Sequence, residues 1–145
     1  MKQPSKNFEF DEFVVSKEKP SLAKKIVLNE VDKIKIFYGC VLLLQPIRDT
    51  FGYIEILSSK RSEELNKAVD GSENSDHLYK NECIAFDFTC PNENMAFVYN
   101  WCKEYLKGRY GQLLFYKSKS FLHISLPSEK HFNETLVIKW LVVVV

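Results

Sequence analysis

The sequence predicts an α+β domain in which a small mixed or antiparallel sheet packs against two main helices. Residues 29–49 and 95–105 carry apolar side chains at helical spacing. Short apolar runs bounded by turn-forming residues predict strands at residues 54–57, 83–88, 112–116 and 121–126. Runs of strands combined with only two substantial helices favour the α+β class. The length of 145 residues fits one domain.

Residues 1–28 are predicted to form an N-terminal arm. Aromatic residues cluster over residues 7–13, which favours a short ordered segment there. The charged stretch 17–25 contains Pro20 and is predicted to be a loop. The first residues lack an apolar stretch, so we expect no signal peptide. No segment approaches the ~20 apolar residues that cross a bilayer, so we expect no membrane contact.

The first long helix is expected to begin after Asn29, a residue that favours the N-cap position, and to run to about Asp49. Pro46 is expected to bend its last turns. Apolar residues recur at helical spacing along this segment. This stripe is predicted to pack into the core, and its members are Val31, Ile34, Tyr38, Val41 and Leu42.

Ser62 is expected to start a short helix over residues 63–69. The stretch 70–76 that follows is too polar for a core and long enough to shape a binding site. Residues 112–116 and 121–126 are predicted to pair as an antiparallel hairpin.

Residues 134–145 form an unusually apolar C-terminal segment. Its last ten residues read LVIKWLVVVV, with one charge and no proline. Such a run promotes aggregation unless a neighbouring strand pairs with it. The segment is therefore either a buried strand of this domain or a tail that binds a partner chain, and the sequence leaves both open.

The overall composition excludes some classes of function. A net charge of +1 argues against nucleic-acid binding, for which a strong basic excess is expected. The four cysteines form no CxxC pair and indicate neither a zinc knuckle nor a disulfide framework. Three of the four lie in apolar runs and are expected to be buried free thiols, which suggests a reducing compartment or a protein indifferent to redox state. The four cysteines are Cys40, Cys83, Cys90 and Cys102.

Three sequence segments, taken in order, carry a specific pattern. Residues 44–52 read LQPIRDTFG, residues 59–78 read SKRSEELNKAVDGSENSDHL, and residues 121–126 read FLHISL. Together they resemble the zinc D-alanyl-D-alanine peptidases of family M15, whose fold is shared with the hedgehog signalling domain. The resemblance extends from about Asn7 to Leu126. It implies this α+β fold and a descent from zinc enzymes that cut cell-wall peptides.

The resemblance implies that His77 and His123 are zinc ligands. A catalytic zinc takes three protein ligands and keeps one position open. In the family pattern H-x-x-G-x-A-x-D the aspartate is the third ligand, and one inserted residue here would place Ala85 at that position. Asp87 lies on the same strand face but about 6–7 Å further along, so it can replace the ligand only if the strand shifts or bulges.

The resemblance also locates a general base, and this position departs from the family. The pattern Q-L-I/L-x-E places a carboxylate four residues after Gln112, where this chain has Tyr116. A phenol with a pKa near 10 is a poor base at neutral pH. The substrate-binding positions of the family are kept as Arg61, Ser72 and Ser75. Alternatively, the arginine braces its loop and the serines cap turns.

These departures favour a catalytically inactive domain with a structural or binding role, with protein partners in an assembly such as a bacteriophage particle. Zinc is then expected to be absent or weakly bound. The alternative is an active zinc peptidase of D-amino-acid peptides from peptidoglycan, with His77, Asp87 and His123 as ligands. A third possibility is a peptidoglycan-peptide binder that cuts nothing. The expected location is the virion or the cytoplasm of the producing bacterium.

Overall fold

Helices form in the three segments for which the sequence predicts them, residues 29–49, 63–69 and 95–105. A computed structural model describes residues 1–139 of the chain. The stretch 17–25, predicted to be a loop, contains one helical turn. Pro20 occupies the first position of this turn, where a backbone N–H is not needed. The helices are α1 (Pro20–Ala23), α2 (Glu30–Gly39), α3 (Gln45–Phe51), α4 (Glu63–Ala68) and α5 (Met95–Tyr105), with a π-helical turn, Cys40–Leu44, between α2 and α3.

The strands form one mixed sheet in the order β1-β2-β4-β3-β5. The β1/β2, β2/β4 and β4/β3 pairs are antiparallel, whereas β3 and β5 are parallel. This sheet confirms the α+β class and the predicted hairpin, which is formed by β3 and β4. The strands are β1 (Glu55–Ser58), β2 (Ala85–Thr89), β3 (Gln112–Tyr116), β4 (Phe121–Ser125) and β5 (Glu134–Ile138).

The two faces of the sheet have different chemistry, because side chains alternate along each strand. One face carries Phe86 and Leu122, which are fully buried and belong to a core that also includes Ile36 of α2 and Val98 of α5. The opposite face carries Asp87, which lies beside an open cleft. The helices therefore cover one face and leave the other available for a ligand.

The prediction of which face of the first long helix is buried was wrong. Val31, Ile34, Tyr38 and Val41 are 44–59% exposed, and Leu42 is half-buried. A second apolar stripe with the same helical spacing enters the core instead, formed by Ile36, Cys40, Leu43, Leu44 and Ile47. Because the segment is apolar on both sides, its periodicity predicts a helix but does not select the face that meets the sheet.

The ends of this helix behave largely as expected. Asn29 caps α2, since its side chain accepts a hydrogen bond of 2.8 Å from the backbone N–H of Asp32. The disturbance expected from Pro46 takes the form of the π-helical turn that precedes it. Pro46 cannot donate to the carbonyl of Leu42, and the guanidinium of Arg109 contacts that carbonyl oxygen at 3.4 Å.

The N-terminal arm takes part in both the core and the cleft. Phe8 and Phe13 are almost fully buried within the main hydrophobic cluster. Further along, Ser16 forms an isolated antiparallel bridge with Ser58 at the end of β1. The arm therefore extends the sheet beyond β1 and forms one wall of the open cleft.

The C-terminal segment begins with a strand on the edge of the sheet. Strand β5 pairs in parallel with β3, with Leu136 opposite Leu114. Leu136 and Val137 are 55% and 38% exposed, so β5 adds little to the core. Residues 140–145, which include the four valines of the predicted tail, lie outside the described residues.

Two simpler expectations are also answered by the described residues. All four cysteines are buried free thiols, one more than the three that were predicted. Within residues 1–139, none of the helices combines the length and the apolar character that crossing a membrane requires.

Candidate metal centre

A cleft of about 730 Å³ opens on the face of the sheet that the helices leave uncovered. Its floor is formed by strands β2, β3 and β4, and its walls by the arm and the polar loop between α4 and β2. The cleft contains all the site residues predicted from the sequence, namely Arg61, Ser72, Ser75, His77, Asp87, Tyr116 and His123.

Asp87 and His123 lie directly opposite each other on strands β2 and β4. The Nδ1 atom of His123 is 2.9 Å from Oδ1 of Asp87. Their position across two central antiparallel strands holds both side chains on rigid backbone, which is a favourable way to support a metal or catalytic group.

His77 reaches the same point from outside the sheet. It lies in a 3-10 turn, Asp76–Leu78, and its own backbone N–H donates to the hydroxyl of Ser75, which caps the turn. Its Nε2 atom is 3.2 Å from Oδ1 of Asp87, and its ring centroid is 5.1 Å from that of His123. One nitrogen from each histidine and one carboxylate oxygen therefore converge within 4.8 Å of one another.

The hydrogen bonding of His77 fits a cation between these three groups. Its Nδ1 atom is 2.7 Å from the carbonyl oxygen of Ser59, which can only accept, so Nδ1 carries the proton. The Nε2 atom then presents a lone pair towards the carboxylate of Asp87. Burial lowers the pKa of His77, so its imidazole stays neutral. Two lone pairs at this distance are stabilised when a positive ion lies between them, as in histidine metal sites oriented by a carbonyl group.

The carboxylate of Asp87 is ionised in this environment. Burial opposes ionisation, but His123, whose Nδ1 lies 2.9 Å from Oδ1, outweighs it and holds the pKa of Asp87 below its usual range. A neutral histidine, a second histidine and an ionised aspartate form the donor set that suits zinc. The residues present therefore fit the metal that the sequence pattern implied.

The expected displacement of Asp87 from the ligand position is not observed. Asp87 meets both histidines, whereas Ala85 pairs with Ser125 two residues earlier on β2. The loop before β2 absorbs the additional residues through two turns with positive φ, at Tyr79 and Asn81. The alignment that fits this geometry inserts three residues in the loop, so that Ala85-Phe86-Asp87 matches the A-x-D end of the family pattern.

Arg61 lies beside this cluster and is largely buried. Its guanidinium is 3.8 Å from the second carboxylate oxygen of Asp87 and 3.3 Å from the side-chain oxygen of Asn66. Burial lowers the pKa of Arg61, although the charge of Asp87 opposes this. An arginine pKa starts so high that the group remains cationic at neutral pH. A cation of this kind at the edge of a cleft can bind a ligand carboxylate.

The two predicted serines have structural contacts in addition to their place in the cleft. The hydroxyl of Ser72 accepts a hydrogen bond from the backbone of Asn74, and that of Ser75 accepts one from the backbone of His77. Both contacts are turn caps. The turn-capping alternative for these serines is therefore present in the structure, and Ser75 in particular helps to place His77.

Tyr116 occupies the cleft face of β3, where its ring stacks on Phe121 at a centroid distance of 4.6 Å. Burial, together with the charge of Asp87, raises its pKa. The phenol is therefore neutral at physiological pH and cannot accept a proton from water. This position in the cleft holds a hydrogen-bond donor in place of the carboxylate expected for a peptidase.

The sequence of this chain matches one known protein family. A sequence model described as peptidase M15 matches residues 6–125, which include the whole cleft apart from His131. The chain belongs to the peptidase M15 family. Neither a curated protein nor a solved structure matches this chain.

The family assignment accounts for the convergence of His77, Asp87 and His123, since M15 peptidases are typically zinc-dependent. It does not account for Tyr116. The M15 match also ends at Ser125, the last residue of β4, so β5 lies outside the matched region.

Two features of this M15 cleft were not found by sequence reasoning. The carbonyl of Ser59 orients His77, and Glu18 of the N-terminal arm lines the cleft. A backbone carbonyl has no sequence signature, and Glu18 stands in a charged stretch without a motif. Only the fold brings either group to the site.

Proposed function

We propose that this M15 domain holds zinc through His77, Asp87 and His123 and uses its cleft to bind peptides with a free carboxylate, with little or no hydrolysis. The convergence of the three donor atoms is the observation that carries this proposal. When bound, zinc would supply a Lewis acid for a carbonyl or carboxylate oxygen of the ligand. We infer this metal from the donor set and from the M15 family.

Arg61 is the group that favours a carboxylate ligand. It already lies 3.8 Å from Asp87 and lines the cleft, so it offers a cation next to the proposed metal position. The side chain is 15% exposed, which limits its freedom and reduces the entropy lost on binding. Peptides that end in D-alanine, as in peptidoglycan, are the ligand class we propose from the M15 ancestry.

The absence of a suitable base argues against efficient hydrolysis. Tyr116 is neutral at its position in the cleft. Asp76 also lines the cleft, but its carboxylate is paired with the ammonium of Lys130 at 2.7 Å. A water molecule in the cleft therefore finds no free carboxylate at the position where M15 enzymes provide one.

Metal analysis of the purified protein tests this proposal. We expect about one zinc ion per chain after dialysis against trace zinc, and loss of that zinc in the variant His123→Ala. His131→Ala is a matched control, because His131 lines the cleft but is not part of the cluster. Zinc-free wild-type protein, or equal zinc in all three proteins, would contradict the metal site.

Peptide binding is a separate measurement. A peptide ending in D-Ala-D-Ala should bind the zinc-loaded protein, and its C-terminal amide should bind more weakly. Arg61→Gln should remove this difference. Equal binding of acid and amide by the wild type would exclude Arg61 as the carboxylate site.

An active peptidase is a second candidate because of one observation. Glu18 is exposed, lines the same cleft and acts electrostatically on Arg61, so the arm provides a carboxylate that the M15 pattern does not. In this alternative Glu18 replaces the missing base. Turnover of a D-Ala-D-Ala peptide that is lost in Glu18→Gln would favour this candidate over the binding role.

We also propose that the C-terminal segment contacts a protein partner in an assembly, such as a bacteriophage particle. The support is that β5 lies beyond the M15 match and exposes Leu136 and Val137. Deletion of residues 141–145 should then leave the domain folded but prevent assembly. Unfolding on that deletion would instead indicate that the segment belongs to the core.

A further inference from the structure

Ser59 connects His77 to strand β2, where Asp87 lies. Its carbonyl oxygen is 2.7 Å from Nδ1 of His77. Its hydroxyl donates a hydrogen bond of 3.0 Å to the carbonyl of Ala85, two residues before Asp87. Ser59 itself is fully buried. Ser59 therefore contacts both the turn that carries His77 and the strand that carries Asp87. The separation of this turn and this strand determines the distance between the two proposed zinc ligands.

Tyr79 holds Ser59 in this position. The phenol and the Ser59 hydroxyl form a short hydrogen bond in the interior. Because the single hydroxyl proton of Ser59 points to Ala85, the phenol of Tyr79 is the donor. Tyr79 is 4% exposed, and burial raises its pKa, so the phenol keeps its proton. Removing the Tyr79 hydroxyl would remove one of the two hydrogen bonds that hold the Ser59 side chain.

Helix α2 in turn fixes Tyr79. The ammonium of Lys35 donates to the Tyr79 carbonyl at 2.5 Å. The ammonium of Lys60 lies 5.0 Å from the Tyr79 ring centroid and 3.3 Å from the Leu78 carbonyl. Asp32, buried in the first turn of α2, pairs with Lys60 at 3.3 Å. The loop after His77 is thus bound to the N-terminal turns of α2 from two sides.

We infer that Ser59 and Tyr79 are positioning residues that set the distance and tautomer of His77 relative to Asp87. This inference rests on the proposed metal site. Its physical basis is that groups which orient a histidine ligand control metal affinity, with typical losses of 10–100-fold when they are removed. The Tyr79 hydroxyl acts one contact further away, so the lower end of that range applies.

Zinc titration of the purified protein tests this inference. Tyr79→Phe should weaken zinc binding by about tenfold, and Ser59→Ala should act in the same direction because it removes both side-chain hydrogen bonds. Tyr110→Phe is the matched control, since Tyr110 is 2% exposed and lies in the hydrophobic core outside this network. The control should bind zinc as the wild type does.

A second measurement does not depend on metal. Nitrogen-15 NMR of the zinc-free wild type should show His77 as the Nδ1–H tautomer alone, and Ser59→Ala should show a second tautomer or a broadened signal. If Tyr79→Phe does not fold, the zinc affinity of Ser59→Ala and its His77 NMR signal test the inference. Both variants binding zinc as tightly as the wild type, with an unchanged His77 signal, would overturn the inference alone. A wild type that binds no zinc would overturn the proposed metal site and this inference together.

Discussion

Asp87 and His123 occupy opposing positions on two central antiparallel strands, and Nδ1 of His123 lies 2.9 Å from Oδ1 of Asp87. The β2/β4 register alone brings these two side chains together, so the contact depends on regular sheet pairing and not on a loop. His77, which arrives from a 3-10 turn, depends on the contacts of that turn. The pair on the sheet is therefore the rigid half of the proposed metal site.

Substitution of Asp87 should separate metal binding from folding. Asp87→Asn keeps the shape but removes the negative charge, so zinc affinity should fall by at least about 100-fold, because a charged ligand is lost outright. Isothermal titration with zinc measures the affinity, and circular dichroism checks the fold. Undiminished zinc binding by the folded variant would show that the metal lies elsewhere.

The stability of the zinc-free protein should depend on pH through His77. Its pKa is lowered on folding from about 6.5, chiefly by burial. A depressed folded-state pKa means that the unfolded chain binds the proton more readily, so stability is lost as the pH falls below about 6.5. Denaturant unfolding at pH 7.5 and pH 5.5 measures this loss, which His77→Gln should reduce. If the free energy of unfolding of His77→Gln falls with pH as steeply as that of the wild type, other groups cause the pH dependence.

The buried face of the first long helix can be tested by a matched pair of substitutions. Ile36 is fully buried, whereas Ile34 on the same helix is 49% exposed. Ile36→Ala should lower the free energy of unfolding by about 2–5 kcal/mol, because it removes packed side-chain volume from the core. Ile34→Ala should change it by less than about 0.5 kcal/mol. Urea denaturation distinguishes them, and equal losses would contradict the assigned face.

This helix also shows where sequence reasoning stops. The cap at Asn29 and the helical spacing are local properties, and both were predicted correctly. The choice between the stripe of Ile34 and that of Ile36 depends on how the sheet packs against the helix, which no local pattern contains. Likewise, the Ser59 carbonyl reaches His77 only after the chain has folded.

The sequence pointed to the three residues that converge in the cleft but not to their geometry. Motif order identified His77 and His123, and Asp87 was considered as a third ligand. Counting residues along an extended strand then placed Asp87 too far away. The error arose because the extra residues were assigned to the strand, whereas the turns at Tyr79 and Asn81 hold them in the loop. Loop length is poorly constrained by motif spacing, since surface loops tolerate insertions at little cost in free energy.

Introduction of a carboxylate at position 116 tests the proposal that this M15 domain lacks a base for peptide hydrolysis. Tyr116 lies on the cleft face of β3, at the position where the sequence pattern of the peptidases has glutamate. Tyr116→Glu would supply a carboxylate that can accept a proton from the attacking water, and general bases of this kind contribute about 10²–10⁴-fold to rate.

We therefore expect Tyr116→Glu to gain measurable release of D-alanine from a D-Ala-D-Ala peptide in the presence of zinc. Tyr116→Gln is the matched control, because it has nearly the same shape as glutamate and no basic oxygen, and it should stay inactive. The wild type should show the low rate of the control. A wild type that already hydrolyses the peptide would show that the cleft has another base, and Glu18 is the first residue to test since it lines the same cleft. Inactivity of a folded, zinc-loaded Tyr116→Glu variant would show that more than the base has been lost.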